Sequence, residues 1–176
     1  MNTMREDLIQ IATKKIQESG INSLTMRDLG KTVGIKASSV MYHFNSKDEL
    51  LHELIKTYSE GFVVYLNKIN EENLDKKVRL NKFINIFELL FQEDKICLAG
   101  MFAVQNKNLD SNTIDKTSDF FAFAQTWLAS NLDVKDSMQI AKVIVSSLEG
   151  ALMLDKLNKN KECLAAVKIW IKNLQP

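Results

Sequence analysis

The stretch from Thr25 to Leu50, TMRDLGKTVGIKASSVMYHFNSKDEL, contains the signals that decide how this chain folds. Thr25 suits a helix N-cap and Gly34 suits a left-handed C-cap, so the stretch opens with a short helix and a tight turn. A second short helix follows. Ser46 and Glu49, three residues apart, have the spacing of a capping box and predict the start of a third helix. Two short helices joined by a glycine turn indicate a helix-turn-helix motif.

The second helix of the motif has an inward and an outward face. Ala37, Val40 and Phe44 follow helical spacing, and we expect them to pack inward. The outward side chains are small, hydroxylic or aromatic. They are Ser38, Ser39, Tyr42 and His43. Such side chains fit base-pair edges in a major groove about 12 Å wide, so the outward face predicts a DNA-reading surface.

Eleven positions of this region, in unbroken register, resemble the N-terminal domain of the TetR family of transcriptional regulators. They are Ala12, Gly20, Thr25, Leu29, Gly34, Ile35, Val40, His43, Phe44, Lys47 and Leu50. The resemblance implies an all-α fold. A three-helix DNA-binding domain would occupy residues 1–47, with its first helix at Met4 to Ser19, and a helical bundle for effector binding and dimerisation would occupy residues 48–176.

The resemblance also implies roles for individual residues in binding double-stranded DNA. Arg27 would reach a base from the second helix of the domain, where a guanidinium can bond to both O6 and N7 of guanine. Ala37, Ser38 and Tyr42 would meet bases, while Thr25, His43 and Lys47 would hold phosphates. Lys47 opposes the dipole of its own helix, which favours a bound phosphate there, although a solvated lysine is the simpler alternative. The predicted DNA-binding set is Thr25, Arg27, Lys36, Ala37, Ser38, Ser39, Tyr42, His43 and Lys47.

The motif departs from the family pattern at four positions. Met41 stands where tyrosine is usual, and Lys36 replaces the usual Ser or Thr cap of the reading helix. Gly30 and Val33 replace alanines in the turn region. The fold expectation is unchanged, but individual base contacts do not carry over one for one.

Composition and charge agree with a globular DNA-binding protein. The 176 residues are 45% hydrophobic and 26% charged, with one proline and six glycines, which argues against an all-β chain with many tight turns. Residues 1–47 carry seven Lys and Arg against four Asp and Glu, a net +3, whereas the remaining 16 against 18 give −2. The first residues lack the apolar run of a signal peptide, and we find no apolar stretch of about 18 residues. We therefore expect a cytoplasmic protein without a membrane partner.

Helical periods continue beyond Leu50. The predicted helices are Lys47 to Lys68, Leu74 to Phe91, Cys97 to Gln105, Thr113 to Ser130, Lys135 to Asn158 and Lys161 to Leu174. Seven of the nine phenylalanines lie between Phe83 and Phe123, at helical spacing. Such stripes are usually core, yet facing stripes can also line an apolar cavity, and the family resemblance implies a small, largely apolar effector. The predicted ligand-binding set is Phe83, Phe87, Cys97, Met101, Phe102, Phe120, Phe123 and Trp127.

Cys97 has a second interpretation. It follows Lys95 closely at a predicted helix start, and both a nearby cation and a helix N-terminus lower the pKa of a thiol. A repressor that senses oxidants or electrophiles through Cys97 is therefore an alternative function. Because the surrounding run is apolar, a small buried side chain is the other interpretation of the same cysteine.

The last two predicted helices carry wide apolar stripes that suit either a core or self-association. The predicted dimer interface is Ile140, Val143, Ile144, Ser147, Leu148, Ala151, Val167, Trp170, Ile171 and Leu174. The resemblance implies a four-helix homodimer interface. A dimer would set two reading helices about 34 to 36 Å apart and imply a roughly palindromic operator.

Nothing in the sequence indicates catalysis. His43 and His52 have no Cys or Ser nucleophile beside them, and we find no zinc-spaced ligands, glycine-rich phosphate loop or paired carboxylates. We expect no catalytic residue, no metal site and no cofactor. The resemblance implies a repressor that an effector releases from its operator. A helical protein-interaction module that does not read DNA stays open as an alternative.

Overall fold

The computed structural model describes residues 3–72 and 74–174, and for residue 108 the backbone only. Within those ranges the chain forms nine α-helices and two 3-10 turns, without a strand, which confirms the all-α expectation. The helices are α1 Met4–Ser19, α2 Met26–Val33, α3 Ala37–His43, α4 Lys47–Glu71, α5 Lys76–Gln92, α6 Leu98–Val104, α7 Ser111–Ser130, α8 Ser137–Asn158 and α9 Glu162–Asn173. The 3-10 turns are Ile21–Ser23 and Asn106–Asn108. Residues 1, 2, 175 and 176, the ends of the predicted domains, lie outside the described residues.

Most predicted helix bounds differ from the observed ones by one to three residues, and α1 matches at both ends. Local capping explains part of the difference. The side chain of Asp75 accepts the N–H of Lys77 at 2.8 Å, so α5 begins at Lys76 rather than at Leu74. Cys97 precedes α6 instead of belonging to it.

The chain forms two compact units. The first contains the residues up to Glu60 together with Leu98–Ser118, and the second contains Gly61–Cys97 and the residues from Asp119 onward. Helix α6 therefore groups with the helix-turn-helix, and α4 and α7 each contribute residues to both units. The functional division at residue 47 remains a prediction, and the compact units divide the chain differently.

The first unit has a core formed by the helices of the motif and their neighbours. Its fully buried side chains include Leu8, Ala12, Ile16, Leu29, Val40, Phe44, Leu50 and Leu54. Burial of one such large side chain contributes about 1.5 to 3 kcal/mol relative to an exposed one, so this core holds the short helices α2 and α3 in place. Thr3 and Glu6 form a capping box that fixes the start of α1.

The second unit is a bundle in which α5 packs against α8 and α9, and α8 packs against α9. The indole Nε1 of Trp127 donates to the carbonyl of Leu66 at 3.3 Å. Asp155, buried near the end of α8, accepts the N–H groups of Cys163 and Leu164 at 2.9 and 2.8 Å. This buried carboxylate thus caps the start of α9 and joins the two helices.

Within the described ranges, α8 alone is long and apolar enough to cross a bilayer by length and composition. Ala141, Ile144, Leu148 and Leu152, however, are buried in the core of the second unit. The core helix of a globular protein passes the same test, and packing in the core accounts for the buried face of α8. The expectation that the chain has no apolar stretch of about 18 residues is therefore wrong for α8.

Candidate DNA-binding site

Helix α2 begins at the predicted N-cap. The Thr25 hydroxyl oxygen accepts the N–H of Asp28 at 3.1 Å, and the hydroxyl donates to the Asp28 carboxylate at 2.7 Å. This hydrogen bond, helped by the positive charges of Lys15 and Lys31, holds the pKa of Asp28 below its ordinary value. Thr25 therefore has a local partner in the free protein, and a phosphate would compete with Asp28 for its hydroxyl.

The turn between α2 and α3 depends on two glycines. Gly34 ends α2 with φ of 75° and ψ of 23°, the left-handed cap that the sequence predicts. A Cβ added to Gly30 would lie 2.8 Å from the carbonyl oxygen of Ile35 and 3.2 Å from Cγ2 of Val40. Because this spacing leaves no room for the usual alanine, the departure at Gly30 has a physical reason: it lets α2 and α3 approach closely.

The two faces of α3 separate as expected at most positions. Val40 and Phe44 are fully buried, while Ala37 is only half-buried. Tyr42 is 88% exposed. Ser38 and Ser39 are exposed as well. Hydroxyl and aromatic groups thus project from a helix whose other side is fixed in the core.

Phe44 also anchors the end of α3 to two other helices. The guanidinium of Arg5, on α1, lies 5.0 Å from the centre of the Phe44 ring. The same guanidinium pairs with the carboxylate of Glu53, on α4, at 2.9 Å. A cation over an aromatic face is favourable, so one arginine links α1, α3 and α4 behind the exposed face.

The start of α4 differs from the predicted capping box. Ser46 Oγ accepts the N–H of Glu49 at 3.1 Å, as expected. The Glu49 carboxylate instead bonds to the backbone N–H of Asn45 at 3.1 Å, one residue before the cap. The Lys47 ammonium donates to the carbonyl of Ile21 at 3.0 Å. An ammonium has three donors, so this bond leaves Lys47 able to reach a phosphate as well.

All nine predicted DNA-binding residues belong to the first unit. Thr25, Arg27, Lys36, Ser38, Ser39 and Tyr42 are exposed, and Ala37, His43 and Lys47 are half-buried. Lys36 gives α3 no side-chain cap. The rings of Tyr42 and His43 meet edge to face with centres 5.6 Å apart. The roles of these residues toward DNA stay predictions.

The predicted ligand-binding residues are mostly packed against one another. In the second unit Phe83 stacks on Trp127 with ring centres 5.7 Å apart and lies 6.1 Å from Phe87. Phe62, which the sequence did not single out, contacts Phe83, Phe120 and Phe123 at 4.6 to 6.3 Å. Met101 and Phe102 belong to the first unit, where Phe102 is fully buried. These aromatic side chains form core contacts, and a role in ligand binding stays a prediction.

A buried carboxyl group lies beside Cys97. The Cys97 thiol donates to Glu149 on α8, and burial raises the pKa of Glu149 to about 7 in spite of that bond. Among the described residues Glu149 Oε2 has no hydrogen-bond partner. Cys97 itself is buried. A buried thiol is poorly accessible to oxidants in solvent, so these observations favour the interpretation of Cys97 as a core side chain.

A surface cavity of about 250 Å³ lies between α5 and α9. Its lining residues are Lys77, Leu80, Asn81, Ile84, Ile171 and Lys172. It shares no residue with the predicted ligand-binding set. Ile171 in this lining comes from the predicted dimer interface.

The predicted dimer interface divides into buried and accessible residues. Ile144, Leu148, Ala151 and Ile171 are buried in the core of the second unit, so they cannot face a partner. Val143 and Trp170 are exposed, and Ile140, Ser147, Val167 and Leu174 are half-buried. The predicted interface does not include the exposed apolar residues Met153, Leu157 and Ile169. The predicted set thus combines residues from the buried and the accessible sides of α8, and the interface itself stays a prediction.

Comparison with known proteins finds similarity to one family of regulators. A model of bacterial regulatory proteins of the tetR family matches residues 8–54. The HTH-type transcriptional repressor KstR2 of Mycobacterium tuberculosis is 28% identical over 91 residues, which cover 51% of this chain and 46% of that protein. IcaR of Staphylococcus epidermidis, the negative regulator of the biofilm operon icaADBC, is 27% identical over 70 residues, 40% of this chain and 38% of IcaR. The chain thus spans less than half the length of these curated relatives.

A solved structure extends the likeness over the full chain. A TetR transcriptional regulator from Legionella pneumophila superimposes with a TM-score of 0.94 at 28% identity, covering 100% of this chain and 99% of that one. A TetR-family regulator from Agrobacterium tumefaciens, 18% identical, shares the fold with a TM-score of 0.88 over 95% of this chain and 94% of its own. The helix-turn-helix and the helices that follow it therefore match together: residues 8–54 match the tetR family of bacterial regulatory proteins, and the whole chain is similar to a solved TetR transcriptional regulator.

Proposed function

We propose that this chain is a sequence-specific DNA-binding regulator of transcription, and a repressor in the absence of its effector. The observation that carries this proposal is the face of α3, where Ser38, Ser39 and Tyr42 are exposed while Val40 and Phe44 are buried behind them. The names of the relatives KstR2 and IcaR, a repressor and a negative regulator, support repression.

The proposed contacts follow from the chemistry of the exposed groups. Arg27, exposed on α2, suits the O6 and N7 atoms of guanine, and Tyr42 and the serines suit base edges. Ala37 would contact a thymine methyl group. Thr25, Lys36, His43 and Lys47 would hold phosphates, which fix the position of α3 without reading sequence.

The proposed assembly is a homodimer through α8 and α9. The accessible apolar residues of these helices include Val143, Met153, Leu154, Leu157, Ile169 and Trp170, and Ser147 and Gly150 allow a close approach. A Cβ added to Gly150 would meet no atom of its own chain within 4 Å. Two copies would present two reading helices to half-sites about 34 to 36 Å apart on a roughly palindromic operator.

The proposed regulation uses a small, largely apolar effector bound in the helical body near the predicted ligand-binding residues. An effector shifts the protein between two shapes only by its differential affinity for them, so it would bind the form with lower DNA affinity more tightly. We propose that the protein acts in the cytoplasm, and as a regulator rather than an enzyme.

Selection from a pool of randomised DNA duplexes at moderate ionic strength tests the proposal. The protein should retain duplexes that share a sequence, and Arg27→Ala should weaken binding by about 1 to 3 kcal/mol and relax the preference at one base pair. Lys36→Ala should weaken binding to all duplexes and reduce the salt slope by about 1. Lys36 is a cleaner phosphate probe than Lys47, because Lys47 also bonds to Ile21.

The exposed Lys135, outside the motif, provides the matched control, and Lys135→Ala should leave both affinity and salt slope unchanged. If no duplex were retained selectively, or if Arg27→Ala and Tyr42→Ala left retention unaltered, the chain would instead be a helical interaction module that does not read DNA.

A further inference from the structure

The junction between α1 and α2 has a backbone conformation that needs support. Gly20 has φ of 81° and ψ of 166°, a region that residues with a Cβ rarely adopt, and it is buried. The hydroxyl of Ser23 donates to the Gly20 carbonyl at 2.7 Å. Ile21, the next residue, is 1% exposed. Its backbone groups therefore need partners inside the protein.

Gln105 supplies one of those partners from a distant part of the chain. The N–H of Ile21 donates to Oε1 of Gln105 at 2.9 Å, across 84 residues of sequence. Gln105 directly follows α6, and α6 packs against α1. A Cβ added to Gly20 would lie 3.3 Å from Nε2 of Gln105, so the glycine also leaves room for the amide group.

Lys47 supplies a side-chain partner for the Ile21 carbonyl, which also accepts the N–H of Leu24 at 3.2 Å. Its ammonium donates to the carbonyl of Ile21 at 3.0 Å, and Lys47 is the first residue of α4. The backbone of Ile21 is thus held at its N–H by Gln105 and at its carbonyl by Lys47. Four residues after Ile21 the Thr25 cap starts α2, so the orientation of the motif depends on how this junction is fixed.

We propose that Gln105 is a positioning residue for DNA recognition, whose side-chain amide holds the α1–α2 junction so that α2 and α3 present their exposed faces together. This inference rests on the proposed function. Gln105 would not touch DNA. Its loss would leave the buried N–H of Ile21 without an acceptor, and the junction would relax toward conformations that expose this group to water. Arg27 on α2 and Tyr42 on α3 would then fit the same DNA half-site less well.

Two substitutions separate the hydrogen bond from the packing of the side chain. Gln105→Met keeps the length of the side chain and removes the acceptor, whereas Gln105→Glu keeps an acceptor oxygen for Ile21. Gln92→Met makes the same chemical change at an exposed position at the end of α5 and serves as the control. Three measurements compare the proteins. The first is amide hydrogen exchange without DNA, and the second is the NMR chemical shifts of the α2 and α3 amides. The third is the affinity for a duplex that the wild type selects.

Affinity is measured well below the melting temperature, so that the unfolded fraction is negligible. Gln105→Met should speed exchange at the Ile21 amide, shift the α2 and α3 signals, and weaken binding about fivefold to tenfold, as expected for one buried hydrogen bond. Gln105→Glu should restore the protection of Ile21 and bind within about twofold of the wild type. Gln92→Met should match the wild type.

Faster exchange at Ile21 in Gln105→Met with unchanged affinity would overturn the inference, and so would equal loss of affinity in Gln105→Glu and Gln105→Met. If the wild type selects no duplex, the proposed function fails by itself. The positioning role is then decided by the amide signals, and unshifted α2 and α3 signals in Gln105→Met would overturn it.

Discussion

At the scale of single residues, Glu149 is a carboxyl group placed where its charge is unfavourable. Burial raises its pKa from 4.5 to about 7, although the Cys97 thiol donates to it. In the unfolded chain the group ionises near its ordinary pKa, while in the folded protein it stays protonated up to about 7. The contribution of Glu149 to the unfolding free energy should therefore be highest below about pH 4.5, fall between about 4.5 and 7, and level off above.

Glu149→Gln tests this dependence, because the amide keeps an acceptor for Cys97 and carries no charge. Relative to the wild type, the variant should gain up to about 3 kcal/mol of stability between pH 4.5 and pH 8, which denaturant titrations at the two pH values measure. Glu71→Gln, at an exposed carboxylate, should change stability little at either pH. If both variants changed the unfolding free energy equally at each pH, the environment of Glu149 would be polar.

At the scale of helices, Gly30 sets the distance between α2 and α3. An added Cβ would lie 2.8 Å from a backbone oxygen, which cannot move without moving the turn. Alanine is favoured over glycine inside a helix by about 1 kcal/mol, and overpacking costs about 1 to 3 kcal/mol. The overpacking cost exceeds the helix-propensity gain by up to about 2 kcal/mol. We therefore expect Gly30→Ala to destabilise the protein by up to that amount and to weaken DNA binding by changing the approach of the two helices.

Gly61→Ala is the matched experiment in α4, because a Cβ there would meet no atom within 4 Å. It should stabilise the protein by about 0.5 to 1 kcal/mol, since only the propensity difference remains. If the contact at Gly30 dominates, thermal or denaturant unfolding will show stability changes of opposite sign for the two variants. A stabilised Gly30→Ala protein would contradict the close approach.

At the scale of the whole molecule, the proposed dimer depends on the accessible apolar residues of α8 and α9. Trp170 is 37% exposed in one chain and Leu157 is 77% exposed. A charge at Trp170 would be buried unpaired in a dimer through these helices. We therefore expect Trp170→Asp to yield monomers by light scattering and to lose selective DNA binding, because two linked half-sites are needed.

Leu89→Asp provides the comparison, since Leu89 is an exposed leucine on α5, 54% accessible and outside the proposed interface. That variant should stay dimeric and keep its affinity for DNA. A dimeric Trp170→Asp protein would rule out the interface through α9.

Patterns between neighbouring residues were enough to predict the motif. The Thr25 cap, the Gly34 turn and the buried Val40 and Phe44 depend on spacings of three to seven residues, which the sequence displays directly. The bond between Ile21 and Gln105 spans 84 residues, and no local pattern indicates it. Contacts of this kind depend on which helices become neighbours.

Periodicity also leaves open what covers an apolar stripe. The stripe through Ile144 and Leu148 suits either a core or a partner chain, and helices of the same chain bury these two residues. A stripe on a helix is equally compatible with intramolecular and intermolecular packing, because both remove the same surface from water. The exposed Leu154 and Leu157 could be separated from it only once the packing of α8 was known.

The arrangement of α3 separates the residues that hold the fold from those proposed to meet DNA. Val40 and Phe44 are fully buried, while Ser38, Ser39 and Tyr42 are exposed. Substitutions at exposed positions usually change stability by less than about 0.5 kcal/mol. Under the proposed function, descendants of this protein can therefore acquire new target sites by exchanging these three side chains while the residues beneath them stay the same. A change in the regulated genes then needs no compensating substitution in the interior.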